Sequence, residues 1–179
     1  MFGTIKQFFR KRMLRKHASD VQTGMIPLRD ISTAAVLIDV DNPEYDVLKE
    51  KVLAWFREND IKGEICYIDF RKLDKNTLLL TSIQTTIIKK ELNWFGAPPM
   101  EKIYRLLGNK IDLFISLTDK NYFTNVLMST CSRARFKIGR IPMDGHTNDI
   151  VISTEQDSLM GNSALKIFNT IESYLKKIN

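Results

Sequence analysis

Three aspartates follow apolar segments of the sequence, in positions where carboxylates can do chemistry. Asp39 and Asp41 end the apolar run that starts at Ala34, and Asp119 follows the run from Leu113 to Leu117. If both runs are parallel strands, their carboxyl ends face the crevice where ligands bind in such sheets. Carboxylate oxygens suit Mg²⁺, which can assist phosphoryl transfer or activate water. The same positions favour turns and helix caps, so a purely structural role is the alternative.

A row of basic residues late in the chain is a second candidate site. Arg133, Arg135 and Lys137 alternate with apolar residues, which is the period of a strand with one wet face, and Arg140 lies just beyond them. Such a row could bind phosphate groups or a polyanion. Charged rows also protect edge strands from pairing with other chains, and that role is the alternative here.

The amino-terminal segment predicts a basic amphipathic helix. Its apolar positions recur at steps of three and four, at Phe2, Ile5, Phe9 and Met13. The anion-binding candidates, which fall mostly on other faces, are Arg10, Lys11 and Arg15. Such a helix could bind RNA or lie on an anionic membrane surface. Alternatively, the apolar stripe docks the helix on its own domain and leaves the basic face in water.

The net charge of +6 is concentrated in this segment. Residues 1–16 hold six of the 27 lysines and arginines and no acid, which leaves 21 basic residues against 21 acidic ones elsewhere. Any salt-sensitive binding of polyanions is therefore expected to depend on the amino terminus. Trp94 and Phe95 precede two prolines, and they could stack on a base or a sugar or anchor their loop to the core.

The elements that must position these residues predict the fold class. The two apolar runs alternate little, which is typical of strands covered by helices on both sides. A helix from Pro43 to Asn59 leads to a strand at Glu64 to Phe70, and a helix beginning near Phe123 leads to a strand at 133–138. Further elements are predicted as a helix from Pro98 to Leu107, a strand at 150–153 and a helix at 164–175, with 85–89 extended and 72–82 ambiguous.

Alternating strands and helices predict an α/β fold with a mostly parallel sheet. We expect a single three-layer Rossmann-like domain over residues 31–179, with helices on both faces of the sheet. The basic amphipathic helix and a connector precede it over residues 1–30. The two apolar strands should be central neighbours or near neighbours, and the 133–138 strand should lie nearer an edge.

Several classes of protein find no support in the sequence. The glycines are isolated, so neither a Walker phosphate loop nor a G-x-G-x-x-G motif is present. The serines lack a nucleophile elbow, and His146 has no recognisable nucleophile partner. Cys66 and Cys131 have no partner motif and are expected to be buried thiols, and no apolar run approaches a membrane span. These features predict a cytoplasmic protein.

Two stretches resemble a known family. DLFISLTDKNYFTNVLMSTCSRARFKIGR at 112–140, with KKELNWFGAPP at 89–99, is similar to a family of short α/β proteins of unknown function common in Bacteroidota. The 112–140 stretch is more faintly similar to the first domain of heptosyltransferase-type glycosyltransferases, with Asp112, Arg135 and Gly139 at the matching positions. LIDVDN at 37–42 resembles the opening motif of PIN-like (NYN) nucleases and the D-x-D of haloacid-dehalogenase phosphatases, a resemblance that implies Mg²⁺-dependent chemistry.

These observations favour a non-catalytic binding or scaffold module that meets an anionic partner through its basic surfaces, with no cofactor and no metal. The alternative is a Mg²⁺-dependent phosphoryl-transfer enzyme, either a PIN-like nuclease or a phosphatase, that uses Asp39, Asp41 and Asp119.

Overall fold

The computed structural model describes residues 2–72, 79–143, 145, 147–153 and 163–178. Within them the helices are α1 (Phe2–His17), α2 (Tyr45–Glu58), α3 (Met100–Leu107), α4 (Phe123–Cys131) and α5 (Ala164–Leu175). The strands are β1 (Thr33–Asp39), β2 (Lys62–Asp69), β3 (Thr86–Ile88), β4 (Ile111–Ser116), β5 (Ala134–Gly139) and β6 (Ile150–Val151). His146 and most of the ambiguous 72–82 segment lie outside the described residues.

The strands form one parallel sheet in the order β3-β2-β1-β4-β5-β6. β1 and β4 are direct neighbours, paired from Ala34 with Leu113 to Leu37 with Ser116. β5 lies next to the two-residue edge strand β6. The predicted central pair and the predicted position of the 133–138 strand are therefore confirmed.

Helices cover both faces of the sheet because the central strands are apolar on both. Val36 and Ile38 of β1 face a core closed by α2 and α5, while Ala35 and Leu37 face a second core closed by α3 and α4. These four side chains are almost wholly buried. The Rossmann-like α/β fold with three layers is confirmed, and Cys66 and Cys131 are buried free thiols, as expected.

Some boundaries differ from the predictions. α2 begins at Tyr45 because Asp39 and Asn42 order the preceding residues into turns, in which Asp39 Oδ1 accepts the Asp41 N–H and Asn42 Oδ1 accepts the Glu44 N–H. α3 begins at Met100, directly after Pro99. β6 ends at Val151, two residues before the predicted end of that strand.

Candidate functional site

The strand order creates one crevice at the carboxyl ends of β1 and β4. From β1 the chain leads to β2 and β3, whereas β4 leads to β5 and β6 on the other side. In open parallel sheets ligands bind where the order reverses in this way. A cleft of about 300 Å³ lies there, lined by Asp39, Asp41, Asn42, Pro43, Asp119 and Lys120. The fold thus brings the three sequence-predicted aspartates to one site.

Lys120 joins the first two of these carboxylates. Its Nζ lies 2.7 Å from Oδ2 of Asp41 and 3.2 Å from Oδ2 of Asp39. Burial raises the pKa of Asp39, whose side chain is almost wholly covered, although the turn N–H and the ammonium oppose this effect. The pKa of Lys120 is raised because its two hydrogen-bonded carboxylates outweigh its own desolvation.

The donor set of the cleft does not match a magnesium centre. Lys120 places an ammonium between two of the candidate ligands. Among the residues that the structure describes, no three His, Cys, Asp or Glu side chains are grouped so that they could hold a metal ion. The oxygens that Mg²⁺ prefers are here engaged by a cation of the chain itself. Mg²⁺-dependent phosphoryl transfer stays a prediction.

Asp119, which lines the same cleft, pairs with Arg140. An Nη2 of Arg140 lies 3.7 Å from Oδ2 of Asp119, and Nη1 donates to the Leu117 carbonyl at 3.3 Å. Arg140 is buried. The sequence placed Arg140 beside an exposed basic row, but it lies under the loop that follows β4, where it binds a carbonyl and a carboxylate of its own chain.

The basic row at 133–137 does not form one wet face. Lys137 is only 5% exposed, and its Nζ donates to the Ser129 carbonyl at 2.8 Å. Arg135 pairs with Asp112 at 3.1 Å and Arg133 with Asp20 at 3.2 Å. The prediction of a wet face is wrong at Lys137 because α4 packs over it, which the alternation of charges did not indicate.

Sequence reasoning missed a second ion pair at the carboxyl end of the sheet. Asp69 ends β2, is wholly buried, and accepts hydrogen bonds from Arg71 Nε at 2.8 Å and Nη2 at 2.7 Å. The signal was present, since Asp69 follows an apolar strand in the same way as Asp39. Asn125 was also missed; its Nδ2 donates to the Lys120 carbonyl at 2.6 Å and so holds the loop that carries Lys120.

The basic residues of α1 divide between two surfaces. Arg10 turns toward the domain, where its Nε donates to the Phe95 carbonyl at 2.8 Å and its guanidinium lies over the Phe123 ring, 4.8 Å from the centroid. Met13 and Leu14 pack against the second core. The helix therefore docks through a face that only partly follows the predicted stripe, and Ile5 is left exposed.

The opposite side of α1 faces solvent. Phe8, Lys11, Arg12, Arg15 and Lys16, here called the basic face of α1, line one shallow depression of about 410 Å³. Phe9 stands beside this face and contacts Phe8 and Trp94 with ring centroids 5.8 and 5.4 Å apart. Trp94 does not anchor its loop in the core, because it is 59% exposed. Phe95 is the ring of the pair that packs against the second core.

The parallel sheet, its strand order and the crevice at the strand reversal define a protein of the Rossmann-like α/β class. The chain belongs to a family of unknown function, DUF6913, whose model matches residues 6–178. The predicted resemblance to such a family is therefore confirmed. No curated protein and no solved structure matches the chain, so the fainter likeness to glycosyltransferases gains no support. Among the described residues, no helix is long and apolar enough to cross a membrane.

Proposed function

We propose that this protein is a non-catalytic cytoplasmic module that binds reversibly to anionic membrane surfaces through the basic face of α1. The observation that carries the proposal is a set of four exposed basic side chains that have no partner in the described part of the chain and that line one depression with an exposed phenylalanine. They are Lys11, Arg12, Arg15 and Lys16, and the phenylalanine is Phe8.

The charges of this face are available to a partner. Some basic side chains elsewhere are paired, as Lys120, Lys102 and Arg71 are with Asp or Glu. The four residues of the basic face have no ion pair or hydrogen bond among the described side chains. Basic residues close to an anionic bilayer contribute about 1 kcal/mol each, so four of them give weak, reversible and salt-sensitive attachment.

The apolar side chains favour a membrane over RNA. Phe8 is 62% exposed and Trp94 59% exposed, and Phe9 joins them into a continuous aromatic cluster with Ile5 nearby. Aromatic rings with neighbouring lysines and arginines prefer the headgroup level of a bilayer. A bilayer accepts rings and charges side by side. Single-stranded RNA is bound by rings whose open faces stack on splayed bases. Here the rings of Phe8 and Trp94 each meet Phe9 edge to face, an arrangement that is less suited to such stacking.

Vesicle binding tests the proposal. The full-length protein should cosediment with vesicles of phosphatidylcholine and phosphatidylserine, should bind phosphatidylcholine alone far less, and should be released by salt. The variant K11Q/R12Q/R15Q/K16Q should lose about tenfold or more in affinity. A matched control, R57Q/K62Q/K110Q/K177Q, removes the same charge from exposed positions outside α1 and should bind as the wild type does.

A second variant separates the apolar contribution from the charges. Phe8→Ser keeps every basic residue and should weaken vesicle binding about fivefold or more, because a buried ring contributes more than 1 kcal/mol. Equal loss in the control quadruple variant would reduce the effect to net charge and contradict the role of α1. Binding to single-stranded RNA at the same salt, without vesicle binding, would replace the membrane by a nucleic acid.

A further inference from the structure

We infer that a cavity beneath α1 binds a small organic anion that carries one aromatic ring. The cavity, here called the Arg10 cavity, has a volume of about 220 Å³. Its walls include Arg10, Lys89, Phe70, Tyr122, Phe123 and Leu92. It is separate from the cleft of Asp39 and from the basic face of α1, and the inference does not depend on membrane binding.

The position of the cavity is that of a ligand site. Phe70 follows β2, Lys89 follows β3, and Tyr122 and Phe123 follow β4 at the start of α4, so the carboxyl ends of three strands meet there. Ligands of open parallel sheets bind at these ends of the strands. α1 contributes Arg10 to the wall of the cavity.

The cavity carries positive charge without an acid to balance it. Arg10 is half-buried, yet no carboxylate pairs with it among the described residues. Its Nε binds the Phe95 carbonyl, while the two terminal nitrogens have no acceptor in the described part of the chain. Lys89, at the exposed rim, is likewise without an acid partner there, and neither Asp nor Glu lines the cavity.

A guanidinium held in this way is prepared for an anion. The contact with Phe123 and the bond to Phe95 fix the plane of Arg10, and Gly96 leaves room for it, since a Cβ there would lie 3.2 Å from Nη2. Two parallel N–H donors match a carboxylate or phosphate, and charge-assisted hydrogen bonds are about twice as strong as neutral ones. Burial also lowers the pKa of Arg10, a cost that a bound anion would offset.

The rest of the lining suits a ring. Phe70 and Tyr122 lie with centroids 5.0 Å apart at 58°, and Leu92 adds an aliphatic wall. The Tyr122 hydroxyl has no hydrogen-bond partner among the described residues and can serve a polar substituent. Drug-sized ligands occupy cavities of about 300–1,000 Å³, so this smaller one fits a single ring with one carboxylate or phosphate group.

Calorimetric or NMR titration of the full-length protein with defined probes tests the inference. Benzoate and phenyl phosphate carry both features, benzyl alcohol lacks the charge, and inorganic phosphate lacks the ring. At least one of the two ring-bearing anions should bind about tenfold or more tightly than either comparator. Which of the two binds better separates a carboxylate ligand from a phosphate ester. The inference would be overturned if neither benzoate nor phenyl phosphate bound, or if inorganic phosphate bound as tightly as the better of these two.

Variants locate the binding. Arg10→Gln and Lys89→Gln should each weaken the ring-bearing anion about tenfold, whereas Arg12→Gln, on the outward side of the same helix, should leave it unchanged. Lys89 lies outside α1, so K89Q keeps the test valid if R10Q loosens the helix. Binding that survives both R10Q and K89Q would place the anion elsewhere and contradict the inference. Weaker vesicle binding in R12Q with intact anion binding would show that the two surfaces act separately.

Discussion

The Nζ of Lys120 lies 2.7 Å from Oδ2 of Asp41, so the cation that neutralises this carboxylate belongs to the chain itself. The same ammonium reaches Asp39, whose Oδ1 orders the turn after β1. The two carboxylates therefore act within the fold as ion-pair and turn-forming groups. Their removal tests this role against that of a metal site.

The variant D39N/D41N should be destabilised by about 1 kcal/mol or more, because Lys120 loses both partners beside a buried site. An Asn side chain at position 39 still has an oxygen that can accept the N–H of residue 41, so the turn after β1 should persist. Urea unfolding measures the difference, and D30N/D60N, which removes two exposed carboxylates, is the control. We expect Mg²⁺ to leave the melting temperature of the wild type unchanged. A rise with Mg²⁺ that the double variant lacks would restore the phosphoryl-transfer alternative.

The strand pattern was sufficient to predict the architecture. Unalternating runs such as Val36 to Ile38 are buried on both faces, as is typical of interior strands of a parallel sheet that helices cover on both sides. The meeting of Asp39, Asp41 and Asp119 followed from the same rule, since carboxyl ends of parallel strands share one edge.

The partners of charged side chains could not be predicted in the same way. A period of two assigns Lys137 to a face of β5 but does not say what covers that face, and here α4 does. Arg10 of α1 likewise turns toward the domain because it contacts Phe95 and Phe123, which lie more than 80 residues away from it in the chain. Long-range ion pairs and cavities are properties of tertiary packing, which local sequence patterns do not encode.

Gly139 ends β5 where the side chain of Asn148 packs against it. A Cβ at this position would lie 2.1 Å from Nδ2 of Asn148, whose Oδ1 accepts the Ser129 hydroxyl at 2.7 Å. Gly139→Ala should therefore cost about 1–3 kcal/mol, since a neighbour must move. Gly24→Ala, with open space around its Cβ, should be nearly neutral. Chemical unfolding compares the two, and G139A/N148A should be more stable than the sum of its single changes, because the second change removes the clash.

Asp112 is held in its charged form at the amino end of β4. Burial alone would raise its pKa, but hydrogen bonds from Ser32, Thr33 and Arg135 outweigh burial and lower the pKa to about 2. A carboxyl group whose pKa is lower in the folded protein than in the unfolded chain stabilises the fold fully at any pH above its unfolded pKa. That contribution is lost as the pH falls through its folded pKa. Asp112→Asn should cost about 2 kcal/mol at pH 7.

The pH dependence of this difference checks its cause. The free energies of unfolding of wild type and D112N should converge between about pH 4 and pH 2, as Asp112 in the wild type takes up its proton. Asp30→Asn, at an exposed position, should show no such convergence. A gap between wild type and D112N that stays constant over this range would assign the effect to geometry and not to the charge.

Lys137 is a buried charged group whose contribution to stability should depend on pH at the alkaline end of the range. Burial lowers the pKa of its ammonium, although Asp149 and Cys131 oppose this effect. The unfolded chain then binds more protons than the folded one between the lowered pKa and the ordinary value of about 10.4, so the contribution of this group to stability rises with pH across that window. Lys137→Met has no proton to lose there. Urea unfolding at pH 7 and at about pH 9.5 measures the difference in stability between the wild type and Lys137→Met. This difference should change in favour of the wild type as the pH rises, whereas exposed Lys90→Met should show no such change. A difference that moves toward the Met variant would mean that the bond to the Ser129 carbonyl holds the ammonium charged more strongly than burial opposes it.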